Sequence, residues 1–120
     1  MSSARRFEDL IVWQEAADLA AEIHHIADRP AFRSRRALRD QICRASTSVM
    51  ANIAEGFGRY RCNEFRRFLI ISRGSAAEVK SHLYLAHRLH LIDDQEQSTL
   101  QSRYATLGRR ISKLSNSLHD

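Results

Sequence analysis

Apolar residues recur along this chain at intervals of three and four, the period of a helix that buries one face. From Phe7 to Asp28, Val12, Ala16, Leu19, Ile23 and Ile26 form one stripe, and Leu10, Trp13, Ala17, Ala20 and Ala27 form a second beside it. The two stripes span roughly 200°, against the roughly 100° that a surface helix needs. The first helix is therefore expected to meet its own bundle and something outside it. Pro30 breaks the pattern. A second helix is predicted from about Arg33 to Glu55, with Leu38, Ile42, Ala45, Val49 and Ile53 as its core stripe. Gly56 follows it, where a left-handed terminating glycine belongs. A third helix is predicted from about Asn63 to His90, with Phe65, Phe68, Leu69, Ala76, Val79, Leu83 and Ala86 inward. The last, over about 94–118, repeats Leu100, Tyr104, Leu107, Ile111, Leu114 and Leu118, and Asp93 with Glu96 makes a capping box before it.

Connections of a few residues make sequential helices antiparallel. The expected fold is all-α, an up-down-up-down four-helix bundle in one domain over residues 1–120. The scarcity of punctuation, 4 glycines and 1 proline, agrees with long helices and disfavours a β-sandwich.

One pattern exceeds the needs of a bundle. Gln41, Arg44, Ser48, Asn52 and Glu55 form a polar stripe on the second helix, and Gly74, Ser75 and Glu78 form a small, polar patch on the third. Such a stripe is either a solvated face or a polar seam whose members satisfy one another and fix helix register or subunit contacts. Two helices carry one, which favours the seam. A glycine within a helix costs about 1 kcal/mol against alanine, so Gly74 is expected where another helix comes close.

Charge then narrows the function. Lysines and arginines number 19 against 14 acids, and only Lys80 and Lys113 are lysines. Arginine's planar fork suits phosphates and carboxylates. Residues 1–28 carry two arginines against six acids, whereas residues 29–73 carry eleven arginines against Asp40, Glu55 and Glu64. Arg33, Arg35, Arg36 and Arg39 crowd the start of the second helix, and Arg59 and Arg61 occupy the next linker. Arg66, Arg73, Lys80 and His87 recur every seven residues, with Tyr84 among them as a stacking candidate. A phosphate-tracking surface fits this pattern. Two readings oppose it: Arg36, Asp40 and Arg44 can pair at i,i+4, and the acidic first helix can neutralise the basic middle.

At the polar stripe the chain resembles a known family. Residues 41–59 read QICRASTSVMANIAEGFGR, similar to the signature of the four-helix bundle proteins of 23S rRNA intervening sequences. Phe7-Glu8-Asp9-Leu10 with Trp13-Gln14 matches that family's opening, and Glu64-Phe65, Arg67-Phe68-Leu69 and Gly74-Ser75-Ala76-Ala77-Glu78 match its third helix. Arg61-Cys62 departs from its usual Arg-Ser pair, which bears on how that helix is capped, and Ser72 stands where alanine is common. The resemblance covers nearly the whole chain. It implies a left-handed antiparallel bundle assembled as a homopentameric ring. Trp13 joins the polar stripe as a candidate seam or subunit contact. It also implies kinship with the accessory variability proteins of diversity-generating retroelements, which are basic pentamers that bind nucleic acid and a reverse transcriptase. Five copies at +5 each would give a ring of +25.

Other chemistry is thinly supported. Cys43 and Cys62 lack metal spacing and read as reduced thiols of a cytoplasmic protein, although Cys62 beside Arg61 suits a low-pKa thiol. His87 and His90 near Asp93 and Asp94 lack the partners of a metal motif, and Glu55 with Glu78 lacks a cleft. No cofactor, metal, catalysis, membrane span or export signal is expected. The expected function is a non-enzymatic accessory protein that binds RNA or DNA as a homo-oligomer. The alternative is a scaffold that binds a protein through the apolar first helix.

Overall fold

The computed structural model describes residues 4–119. It contains four long helices, α1 (Ile11–Ala27), α3 (Arg36–Phe57), α4 (Cys62–Arg88) and α5 (Asp94–Ser117), and one short helix, α2 (Pro30–Arg33). No strand occurs among the described residues. Each long helix packs on two others: α1 on α3 and α5, and α4 on α3 and α5. The diagonal backbones stay apart and the four helices close around one core, in a body 47 Å along its longest axis. The α3–α4 interface is the most extensive and the α1–α5 interface the slightest.

The inward stripes behave as their spacing predicts. Ile42, Ala45, Val49 and Ile53 of α3, Leu69, Ala76, Val79, Leu83 and Ala86 of α4, and Leu100, Tyr104, Leu107 and Ile111 of α5 are all buried. Phe68 departs from its stripe and lies half-buried under two guanidinium groups, Arg59 and Arg67 at 5.1 and 4.6 Å from its ring centre. A cation over an aromatic face is favourable, so the ring's exposed side is covered by charge instead of hydrocarbon.

The helix ends differ from expectation in ways that local hydrogen bonds explain. Residues Phe7–Asp9 form a separate 3-10 turn, because the Asp9 carboxylate accepts the Arg5 and Arg6 amides and Leu10 is extended. The α1 helix starts only after it. Pro30 opens a helix here instead of only ending one, its fixed φ suiting the first helical position. The second long helix then runs from Arg36 through Phe57, so Gly56 lies inside it with a negative φ. The left-handed residue is Tyr60, at φ 60°. Gly56 is needed for closeness. A Cβ there would stand 2.6 Å from the Phe68 Cβ and 3.0 Å from the Phe65 ring.

At the far end of α4, His90 takes the left-handed position at φ 61°. Its amide bonds to the His87 carbonyl at 3.0 Å, and the Leu91 amide reaches the Ala86 carbonyl at 2.9 Å. That double bond pattern is a Schellman termination with histidine in the usual glycine place. The α4 start has no side-chain cap on Arg61. The α5 capping box forms as predicted: Asp93 accepts the Glu96 amide at 2.7 Å, and Glu96 accepts the Asp93 amide at 3.0 Å.

The wide apolar arc of α1 is mostly absorbed within the chain. Val12, Ala16, Leu19, Ala20, Ile23 and Ala27 are buried, and half-buried Trp13 meets the Phe7 ring edge-on at 5.1 Å. Ile11 remains 65% exposed. The broader uncovered apolar face belongs to α4, where Ile70, Ile71, Tyr84 and Leu85 are exposed. An ideal Cβ on Gly74 meets nothing within 4 Å, so the close helix expected there is not found among the described residues.

Candidate nucleic-acid interface

The polar stripe is a seam between α3 and α4. Arg44 pairs with Glu78, the Ser48 and Ser75 hydroxyls are 2.9 Å apart, and Asn52 Nδ2 donates to Ser48 at 2.8 and 2.9 Å. His82 Nε2, which the sequence reading did not include, lies 3.2 Å from Glu78. Below it, buried Ser72 donates to the Val49 carbonyl at 2.7 Å. Partial burial pushes the Glu78 carboxyl up, but the hydrogen bonds with His82 and Arg44 outweigh it and hold its pKa below the usual range. Glu55 is not part of the seam. It pairs with Arg59 at 2.9 Å, and Arg44, the partner of Glu78, lies about 16 Å along α3 from it at 1.5 Å per residue. Gln41 is exposed beside Arg35 and Arg36 on the wall of a shallow groove, and Trp13 lies on another helix. Gly74 joins no seam contact.

The acidic first helix does neutralise arginines, but mostly those of α5. Glu15 pairs with Arg110 and Glu22 with Arg103. Glu96 pairs with Arg29, with an Nη1–Oε1 distance of 3.1 Å. The Glu96 carboxyl is held low first by that Arg29 bond and further by the Asp93 amide, against its own partial burial. A carboxyl lowered by folding stabilises the native state above its unfolded pKa of about 4.3, and loses that contribution as pH falls through the folded value. Urea midpoints should therefore hold between about pH 7 and 5 and fall below about pH 4.3. Glu96→Gln should be less stable at neutral pH and show a shallower acid decline. An unchanged acid limb would contradict this account.

Within the basic middle, the predicted cations divide. Arg39 is spent on Asp28 at 3.1 Å, Asp40 at 3.5 Å and the Ala27 carbonyl at 3.2 Å. Asp40 therefore pairs with its neighbour Arg39, not with Arg36 or Arg44 as i,i+4 spacing suggests. Arg59 is held by Glu55, and Arg66 donates to the Leu118 carbonyl at 2.6 Å. Lys80 is half-buried. Arg73 donates to the Ser112 hydroxyl at 2.9 Å, a neutral partner that leaves its charge uncompensated. Arg33, Arg35, Arg36 and Arg61 are exposed with no carboxylate partner among the described residues.

These cations form two groups. Arg33, Arg35 and Arg36 crown the end of the bundle where α3 begins and α4 finishes. Arg61 sits at the opposite end, about 33 Å away along the 22 residues of α3. Beside it stands Tyr60, 90% exposed and in a left-handed backbone conformation that costs a non-glycine residue roughly 1–2 kcal/mol. An exposed aromatic between two arginines suits stacking on a base. Gly58-Arg59-Tyr60-Arg61 carries this signal in the sequence, and Tyr84, the stacking candidate on α4, is also exposed.

Among the described residues, no group of three or more His, Cys, Asp or Glu is placed to hold a metal. His87 reaches Asp94 at 2.6 Å, and Cys62 Sγ donates to the His119 carbonyl at 3.0 Å. Burial pushes the Cys43 thiol up. No described helix is long and apolar enough to cross a membrane.

Four long helices around one core, with a paired polar seam and surplus arginines at both ends, define an all-helical bundle protein with a cationic surface. The sequence model of the 23S rRNA-intervening sequence proteins matches residues 8–113, and the chain belongs to that family. Its fold is similar to the crystal structure of a protein of unknown function from the S23 ribosomal protein family of Bacteroides thetaiotaomicron, with a TM-score of 0.81 at 19% identity, covering 89% of this chain and 100% of that one. No curated protein matches the chain.

Proposed function

We propose that this protein is a non-enzymatic, cytoplasmic nucleic-acid-binding protein, with RNA as its ligand, that works as a basic homo-oligomer. One observation carries the reading: after the fold has made its ion pairs, Arg33, Arg35, Arg36 and Arg61 remain exposed without a carboxylate partner among the described residues. Surface arginines that served solubility alone would need no such separation from the acids that pair so many others. Exposed Tyr60 and Tyr84 add stacking platforms. The outward face of α4 supports assembly. Ile70, Ile71, Tyr84 and Leu85 flank exposed Gly74, Ala77 and Ser81, which allow another copy's helix to approach closely.

Filter binding of RNA across a salt series, with mass measured by light scattering, tests this reading. Log affinity should fall linearly with log salt, and Arg35→Ser with Arg36→Ser should make the slope shallower by about one for each lost phosphate contact. The mass should approach five times 13.8 kDa. Absence of binding at about 50 mM salt, where electrostatic affinity is high, would reject the RNA reading, and a monomeric mass would reject the oligomer. A captured protein partner that survives nuclease, with no RNA affinity, would favour the scaffold alternative.

A further inference from the structure

A trough of about 690 Å3 lies between α4 and α5, outside the arginines singled out above except for Arg73. It is lined by Arg73, Arg109 and Lys113 together with Gly108, Ser112 and Asn116. Among the described residues, no carboxylate lines it. Arg73 donates to Ser112 and Arg109 donates to the Thr106 hydroxyl at 3.1 Å, both neutral acceptors, and Lys113 has no hydrogen-bond or ion-pair partner among the described residues. Elsewhere the fold places an acid against Arg103 and Arg110 on the same helix. Three cations gathered without one repel each other, a cost that an anion seated among them would offset.

Gly108 points the same way by a separate route. Glycine within a helix weakens it relative to alanine, and packing does not call for one here, because an ideal Cβ would meet nothing within 4 Å. The missing side chain leaves room in the trough instead. Ser112 accepts from Arg73, so its own hydrogen is free to donate, and the Asn116 amide adds a further donor to the wall.

We propose that this trough binds a phosphate group, with Arg73, Arg109 and Lys113 as its cations and Ser112 as a neutral donor. The phosphate belongs either to a nucleic-acid backbone, in which case the site rests on the RNA reading above, or to a free phosphorylated molecule, in which case it stands apart from it. Arg109 and Lys113 recur at i,i+4 on one face of α5, and their meeting with Arg73 is visible only once the helices pack.

The test titrates the full chain, amide-labelled for NMR, with inorganic pyrophosphate in one arm and a short oligouridylate in the other. Saturable shifts are expected at Gly108, Ser112 and Lys113. Arg109→Gln with Lys113→Gln should weaken trough binding about tenfold or more, as expected for lost charge-assisted bonds. Without ligand the same pair should melt at an equal or higher temperature, because the repulsion is relieved. Gly108→Ala should raise the melting temperature and still weaken binding, a combination that a purely structural glycine would not give. Saturation by pyrophosphate without oligouridylate binding supports the trough as a small-molecule site and counts against the RNA reading. Oligouridylate binding that the trough variants leave intact, with no pyrophosphate shifts, overturns the trough and leaves the RNA reading standing. Variants that change the oligomer mass while leaving pyrophosphate affinity unaltered also overturn it.

Discussion

Phe32→Ala should destabilise the chain by about 3–5 kcal/mol, the usual cost of emptying a fully buried aromatic site. Phe32 is 1% exposed although it belongs to α2, a helix of four residues. A helix that short does not persist alone in water. Pro30 presets its first turn, and the Ser34 hydroxyl donates to the Ala31 carbonyl at 2.8 Å, but Phe32 is its only buried side chain and so its anchor to the core. Equilibrium urea unfolding measures the loss, and Phe32→Leu, which keeps most of the volume, should lose less than half as much. The same substitution bears on function, because α2 and the turn after it carry Arg33 and Arg35. RNA affinity of Phe32→Ala, measured where it is still folded, should drop toward that of the Arg35→Ser, Arg36→Ser variant. A loss below about 1 kcal/mol would mean that α2 is not held by this ring.

Gly56→Ala should cost about 2–3 kcal/mol, against the gain of about 1 kcal/mol that alanine ordinarily brings to a helix interior. The added methyl would collide with the Phe68 Cβ, an atom fixed to the α4 backbone that cannot swing aside, and would also press on the Phe65 carbonyl at 3.3 Å. Relief requires α3 and α4 to separate at their closest point. A second variant distinguishes this from ordinary crowding of a ring. Phe68→Ala removes the ring but keeps the offending Cβ, so adding it to Gly56→Ala should bring no rescue. Full rescue by Phe68→Ala, measured by the same urea titration, would place the clash on the ring and refute the backbone argument.

The four long helices and nearly all of the core could be read from the sequence, because a period of three to four residues is a local property. Val49, Leu83 and Leu107 needed only their neighbours in the chain to be placed. The capping box at Asp93 was legible for the same reason. Gly56 was misread because a glycine near a helix end has two uses, a left-handed turn and a close approach, and only the facing Phe68 selects between them. The start of α1 was misread because Asp9 draws the Arg5 and Arg6 amides into a separate turn. Charge was the least legible. Glu15 finds Arg110 and Glu22 finds Arg103 across most of the chain's length, and no spacing rule foretells such pairs. The arginines that remain over, and so the candidate site, become visible only after those long-range pairs are subtracted. The Arg44–Ser48–Asn52 stripe and its partners Ser75 and Glu78 were legible as polar, but His82, which bonds Glu78 from one turn along the same helix, carried no signal that set it apart.

An even number of long antiparallel helices returns the backbone to the end from which it set out. The 3-10 turn at Phe7 packs on α3, and the Leu118 and His119 carbonyls are held by Arg66 and Cys62 near the start of α4. Both extremities of the described chain thus share an end with Tyr60 and Arg61, while Arg33, Arg35 and Arg36 face away at the other, on a body 47 Å long. Bulky cargo fused at either extremity would crowd the tyrosine loop and leave the arginine crown accessible, so tethering the protein by one tail presents a chosen pole of it to solution.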